Sequence, residues 1–238
     1  MDTAQLLLDA IDYNKPILEV SLKRSFQQIE NGESVCVINK IKSAEREKKY
    51  TISLPLNFFQ TQKLYQLASL APLAPELLNE NGEVVSIQKA LNAFKASAIV
   101  LPETYSFGER VDNDLSNIDD SQIITLSNST FFTRFMKIIS AGKADFALIF
   151  PASLYQSFGD TQPVEMRSYA IANNPKFVSG HMICGKTPEA LAFIEKVNAA
   201  IKSIYSKPIF IEAHTKYLPA NSKQIIERAI QQQVSNIL

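Results

Sequence analysis

Glycine is scarce in this chain, with seven in 238 residues. That leaves little room for the glycine-rich loops that cradle phosphates, and no Walker-type run is present. Cysteine and histidine are scarcer still: Cys36, Cys184, His181 and His214 are all there are. Their spacing fits no zinc motif and neither histidine has a local partner at ligand spacing, so no metal or other cofactor is expected. Charge of either sign is not in surplus, with 24 Lys and Arg against 24 Asp and Glu. Nucleic-acid binders usually carry a basic excess, so no nucleic-acid partner is expected. Apolar runs such as Phe146 to Pro151 are far too short to span a bilayer, which argues against membrane insertion. The start Met1-Asp2-Thr3-Ala4 has neither the basic residues nor the apolar segment of a signal peptide. Neither Gly-x-Ser-x-Gly nor His-Glu-x-x-His occurs, so motifs name no catalytic residue.

What is present is a chain 46% hydrophobic, enough to build one large core or two smaller ones. Helical and strand-like patterns alternate along it. Ala4 to Ile11 is apolar at helical spacing, and Ile17 to Val20 reads as a strand. Ser21 caps a helix that Gly32 stops, and Val35 to Ile38 reads as a buried strand. Further strands are expected at Leu64 to Leu70, Ser97 to Leu101, Ile123 to Leu126, Asp145 to Phe150, Val164 to Ala172 and Phe177 to Ile183. Helices are expected at Ser86 to Phe94, Phe107 to Asn117, Ser129 to Ala141, Pro188 to Tyr205, Ile209 to Tyr217 and Ser222 to Val234. This alternation argues for an α/β protein with largely parallel sheets.

One unit occurs twice. Arg24 precedes Gly32 by eight residues and a buried strand follows; Arg134 precedes Gly142 by the same interval, again before a strand. Two similar α/β lobes would explain the echo, and so would the commonness of helix–glycine–strand units. Lys40 to Tyr50 is the most charged stretch, and a short strand-like run, Tyr50 to Ser53, follows at once. A solvated helical turn accounts for these charges. A binding arginine accounts for them equally well. Cys36 and Cys184 read either as two buried thiols or as one disulfide.

The order of these pieces resembles a family. "IENGESVCVINKIKSAEREKKYTISLP" is similar to the signature of bacterial periplasmic solute-binding proteins of the type-2 fold, in their amino-acid-binding branch. The pieces are Gly32, Val35 to Ile38, Glu45-Arg46 and Ile52-Ser53-Leu54-Pro55. "ETYSFG", "AGKADFALIF" and "HMICGKTPEALAFIEKVNAAIKSIY" continue the similarity, whose wording is nearest a proteobacterial subgroup. The resemblance implies two lobes joined by a two-crossing hinge, each a mixed, mostly parallel sheet flanked by helices. Lobe 1 is expected over 1–85 and 178–238, and lobe 2 over 86–177. The first strand of lobe 1 in that family has no counterpart in this sequence.

The resemblance also implies a binding role, with a small-molecule ligand held between the lobes. Arg46 matches the carboxylate-binding arginine, and Lys40 offers a second cation. Tyr105, Ser106, Phe107 and Gly108 match the loop that opens the ligand-facing helix of lobe 2. Phe150 stands where amino-acid binders carry an acid for the ligand ammonium, and Asn39-Lys-Ile-Lys42 replaces their hydroxyl-rich loop. An acidic or carboxylate-bearing ligand is therefore expected. Glu45, Glu47, Lys48 and Lys49 are expected in solvent. The strands of Cys36 and Cys184 are neighbours in that fold, which implies a disulfide. A periplasmic, monomeric binding protein serving a membrane transporter or sensor is the leading expectation. An enzyme on the same fold, using Glu103 as its acid or base, and a scaffold without ligand are the alternatives.

Overall fold

The computed structural model describes residues 2–95, 97–103, 105–127, 130–216, 218 and 220–237. The chain forms two compact units, Met1–Phe59 with Phe177–Leu238, and Gln60–Lys176. The sequence drew this boundary near residue 85; in the structure residues 60–85 belong with the second unit.

The first unit opens with α1 (Asp2–Ala10), which buries Leu7 and Leu8, one helical face. An extended segment follows, and then α2 (Leu22–Glu30), capped by the Ser21 hydroxyl, which accepts the Arg24 N–H. β1 (Cys36–Ile41), α3 (Ala44–Lys49), β2 (Thr51–Ile52) and β3 (Asn57–Gln60) complete this first pass.

The expected strand Ile17–Val20 does not form: Ile17 and Leu18 are 69% and 72% exposed, and no ladder claims them. β-propensity expresses fit to a pleated, half-buried surface, and this segment has none beside it. α1 is the first element, and no strand precedes it among the described residues.

The second unit contains β4 (Lys63–Leu67), α4 (Ile87–Asn92), β5 (Ile99–Pro102), α5 (Glu109–Leu115) and β6 (Ile123–Leu126). It continues with α6 (Phe131–Ser140), β7 (Phe146–Ile149), α7 (Pro151–Phe158) and β8 (Met166–Tyr169). The expected helix start at Ser129 lies outside the described residues. The five strands order as β6-β5-β7-β4-β8.

Every residue of β5 and β7 is buried, because both faces of the sheet are covered. The period of two sorts them: Ile99, Leu101, Phe146 and Leu148 join one core, and Val100, Ala147 and Ile149 join the other.

The chain then returns to the first unit as β9 (Phe177–Cys184), followed by α8 (Pro188–Tyr205), α9 (Pro208–Thr215) and α10 (Ala220–Ile237). The expected end of α9 at Tyr217 lies outside the described residues. In α8, Ile194, Val197, Ile201 and Ile204 recur at helical spacing and are buried. β1, β2 and β3 all pair with β9.

The α/β expectation holds. Its parallel ladders include β5 with β6 and β5 with β7, where helical crossovers return each strand in the same direction, and a single parallel bridge joins Val84 to Ile171. β1 and β2 run antiparallel to β9, and β4 runs antiparallel to both β7 and β8.

The repeated helix–glycine–strand unit has matching geometry in its two copies. Gly32 and Gly142 have φ of 82° and 62°, a region that favours glycine. At each, two N–H groups close the helix end: Gly32 to Ile29 and Glu33 to Gln28, Gly142 to Ile139 and Lys143 to Ile138, all at 3.0 to 3.1 Å.

Cys36 and Cys184 face each other across β1 and β9 and are joined in a disulfide that closes a sequence separation of 148 residues. Cross-linking so long a loop restricts the unfolded chain. Replacing both cysteines with alanine is expected to lower stability by about 2–5 kcal/mol. Urea unfolding measures this, and an unchanged midpoint would show that the bridge does not hold the first unit.

His214 sits on α9 against Phe58 and Phe210, with Nδ1 donating to the Phe210 carbonyl at 2.7 Å. Burial pushes its pKa down to about 4, against the pull of the Phe210 and Leu56 carbonyls. The unfolded chain therefore binds this proton at higher pH than the folded one. Stability is full above about pH 6.5 and falls as pH drops toward 4, by on the order of 2–3 kcal/mol. His214→Leu should flatten this part of the unfolding profile; a slope as steep as before would assign it to other groups.

Candidate functional site

In the first unit the charged stretch folds as α3. Ser43 caps it, accepting the Arg46 N–H at 3.3 Å. Glu45, Glu47, Lys48 and Lys49 are exposed, as expected of a solvated turn. Lys49 pairs with Glu45 at 2.9 Å and Lys42 with Glu47 at 2.6 Å. Such exposed pairs contribute little, about 0–1 kcal/mol each.

Arg46 differs from these neighbours. It is half-buried, one guanidinium nitrogen donates to the Ile41 carbonyl at 2.6 Å, and the guanidinium carbon lies 5.6 Å from the Phe26 ring centre. Carbonyl and aromatic face fix the side chain's direction.

Lys40 shares this neighbourhood. Burial, and then the charge of Arg46, depress its pKa below the usual lysine range. It forms no salt bridge among the described residues. A partly desolvated cation that feels a second positive charge is stabilised by an incoming anion.

His181 lies opposite Lys40 on β9 and is buried. Its Nδ1 lies 2.8 Å from the Ser53 carbonyl and so carries the proton; Nε2 accepts from the Ser179 hydroxyl at 2.9 Å. Burial lowers its pKa, which keeps it neutral at pH 7.

In the second unit, Tyr105, Ser106, Phe107, Gly108 and Phe150 do come together. Phe107 is 2% exposed and belongs to the core; Phe150 stacks on it at 6.0 Å and packs against the same cluster. Tyr105, 45% exposed, lies 6.1 Å from the Phe107 ring.

Gly108, with φ of 95°, is the N-cap of α5, so the helix begins later than the sequence suggested. The Ser106 hydroxyl donates to the Asp112 carboxylate at 2.6 Å, and the same carboxylate accepts the Phe107 N–H at 2.8 Å. The chain's own carboxylate thus occupies donors that a helix start would otherwise turn to an anion.

Glu103, the residue an enzymatic reading would need, is exposed at the end of β5, its N–H donating to the Leu126 carbonyl at 2.8 Å. No group of three or more His, Cys, Asp or Glu placed to hold a metal occurs among the described residues. No helix among them is long and apolar enough to cross a membrane.

The sequence missed His181 and Asp112 as parts of these arrangements. Asp112 has a readable signal, an acid six residues after Ser106 inside the first turns of a helix.

Comparison with solved structures defines the architecture. An ancestral arginine-binding protein bound to arginine superposes with a TM-score of 0.66 at 13% identity, over 92% of this chain and 86% of that one. It has the type-2 periplasmic-binding-protein fold. The amino-acid ABC transporter substrate-binding protein AbpA from Streptococcus pneumoniae, bound to L-arginine, matches with a TM-score of 0.60 at 15% identity, over 98% of this chain and 83% of that one. The GluR0 ligand-binding core from Nostoc punctiforme, in complex with L-glutamate, matches at 0.63 and 14%, over 91% and 89%. No protein-family model and no curated protein sequence matches the chain. Likeness at these identities carries the fold; the ligand has to be argued from this chain's own residues.

The carboxylate lock at the start of α5 yields a direct expectation. Asp112→Ala removes two hydrogen bonds and is expected to cost about 1–3 kcal/mol. Thermal or urea unfolding reads this; a neutral effect would show that other contacts hold the helix start.

Proposed function

We propose that this chain is an extracytoplasmic solute-binding protein that captures a small carboxylate-bearing ligand through Arg46 and Lys40. It passes that ligand to a membrane transporter or reports it to a sensor, acts as a monomer and performs no chemistry on the ligand. The observation that carries this reading is the pair of neighbouring cations on the first unit. Lys40 is partly buried beside Arg46 and forms no salt bridge among the described residues.

A guanidinium offers a carboxylate two parallel charge-assisted hydrogen bonds, which fix orientation as well as adding affinity. The fold, shared with proteins solved with arginine and glutamate bound, supports a binding role. The Cys36–Cys184 disulfide fits an oxidising compartment such as the periplasm. Phe150 carries no charge where the resemblance would put an acid for an ammonium, and it is packed with Phe107. That favours a ligand without a cationic centre.

Thermal unfolding against a panel of mono- and dicarboxylates, amino acids and sugars tests the reading. A ligand at 100 times its Kd adds about 2.7 kcal/mol, a rise of very roughly 5–10 °C for a chain of this size. Carboxylates are expected to give the rise, and Arg46→Ala is expected to abolish it. A panel in which no acid raises the midpoint, or a rise retained by Arg46→Ala, would overturn the assignment.

A further inference from the structure

The ladder between β1 and β9 is not regular. Val37 stands opposite Ile183 and Lys40 stands opposite His181, so three steps on β1 match two on β9. β1 therefore carries one extra residue, a β-bulge. In an unbroken strand, residues three apart point to opposite faces of the sheet. Directly opposed residues share a face, and Ile183 and His181, two apart on β9, share one with each other. Val37 and Lys40 consequently lie on the same face.

That face is where Arg46 is held. Val37 and Ile183 form a core cluster against which Phe26 packs, and the Arg46 guanidinium lies over the Phe26 ring. Were the same residues paired in regular register, with no bulge, Lys40 would emerge on the opposite side of the sheet.

The bulge has a lock. Asn39 has φ of 61°, a left-handed conformation uncommon for residues with a side chain. Its side chain enters a space open only because residue 180 is glycine. A Cβ there would collide with the Asn39 side-chain oxygen and lie 3.3 Å from its Cα. The same oxygen accepts the Asn57 side-chain N–H at 3.3 Å, and the Asn57 oxygen accepts the Thr3 hydroxyl. Strands β1, β3 and β9 and helix α1 all meet at this bulge.

We propose that Asn39 and Gly180 are positioning residues for the binding site: the bulge they lock turns Lys40 onto the face that carries Arg46 and so creates the two-cation site. This rests on the reading of Lys40 and Arg46 as ligand-binding. Neither Asn39 nor Gly180 needs to touch the ligand. Backbone left-handedness at one residue and a missing side chain at another decide which face of the sheet the second cation occupies.

The test uses the full chain, with its lysines reductively dimethylated with carbon-13, which preserves their charge. Each ε-ammonium is titrated by NMR, and Lys40→Arg assigns the Lys40 signal by its disappearance. In the wild type, Lys40 is expected to titrate below the other lysines, and Arg46→Met is expected to move it upward. Asn39→Val puts a β-branched residue where the bulge needs left-handed backbone, and Gly180→Ala fills the gap that Asn39 enters. In either variant Lys40 is expected to titrate with the other lysines and to ignore Arg46→Met. A folded variant of either kind in which Lys40 still titrates low and still responds to Arg46→Met would overturn the proposal. If Asn39→Val does not fold, Gly180→Ala decides alone. Should Arg46→Met leave the wild-type Lys40 signal unmoved, the two cations are not neighbours, and it is the site reading itself that fails.

Discussion

Backbone pairing along Phe177–Cys184 is the constraint on which the first unit depends. This single strand takes β1, β2 and β3 as partners, and all three come from sequence more than a hundred residues earlier. Local preference cannot supply such a ladder; closing so long a loop carries an entropic cost set by that separation. The disulfide sits at one end of the same ladder, and the Asn39 bulge further along it. The strand thus holds the unit together and sets the position of its charged side chains. Its burial in five successive residues, Gly180 to Cys184, fits both tasks.

The charges near α3 separate by environment rather than by type. Glu45, Glu47, Lys48 and Lys49 stand in water, where ion pairs are screened and weak. Arg46 and Lys40 are drawn partly out of water, and the charge of Arg46 acts on Lys40. Proximity of like charges is costly without compensation. The second unit shows the converse economy at α5. There Asp112 satisfies the Ser106 hydroxyl and the Phe107 N–H, and the aromatic rings of Phe107 and Phe150 close over the core.

Much of the fold was legible because it rests on local rules. Ser21, Ser86 and Thr187 each cap the helix that follows, Gly32 and Gly142 end theirs, and the apolar runs at Ile99 and Phe146 are buried strands. The unread parts rest on partners distant in sequence. Ile17 to Val20 has the composition of a strand but no ladder beside it. The direction of β1 against β9 is set by how the chain returns. At the site, Arg46 stood out because a recognisable order of motifs surrounds it. The facing of Lys40 did not, because a strand with one extra residue looks, in sequence, like any other. Phe107 was marked as a ligand contact on its position in a loop, yet its ring is used by the core.

The discontinuity of the first unit bears on how the protein is made. Residues 60–176 are contiguous, so the second unit has all its strands as soon as it has left the ribosome. The first unit begins earlier and finishes later. Until residue 184 emerges, β1, β2 and β3 lack the strand they share, and Val37 and Phe58 have no completed core to enter. During synthesis the leading segment is thus made before the strand it pairs with, whereas every strand of the second unit is made in one stretch. The bond from Cys36 to Cys184 has to wait for the same strand, so one residue's arrival makes both the ladder and its covalent seal possible.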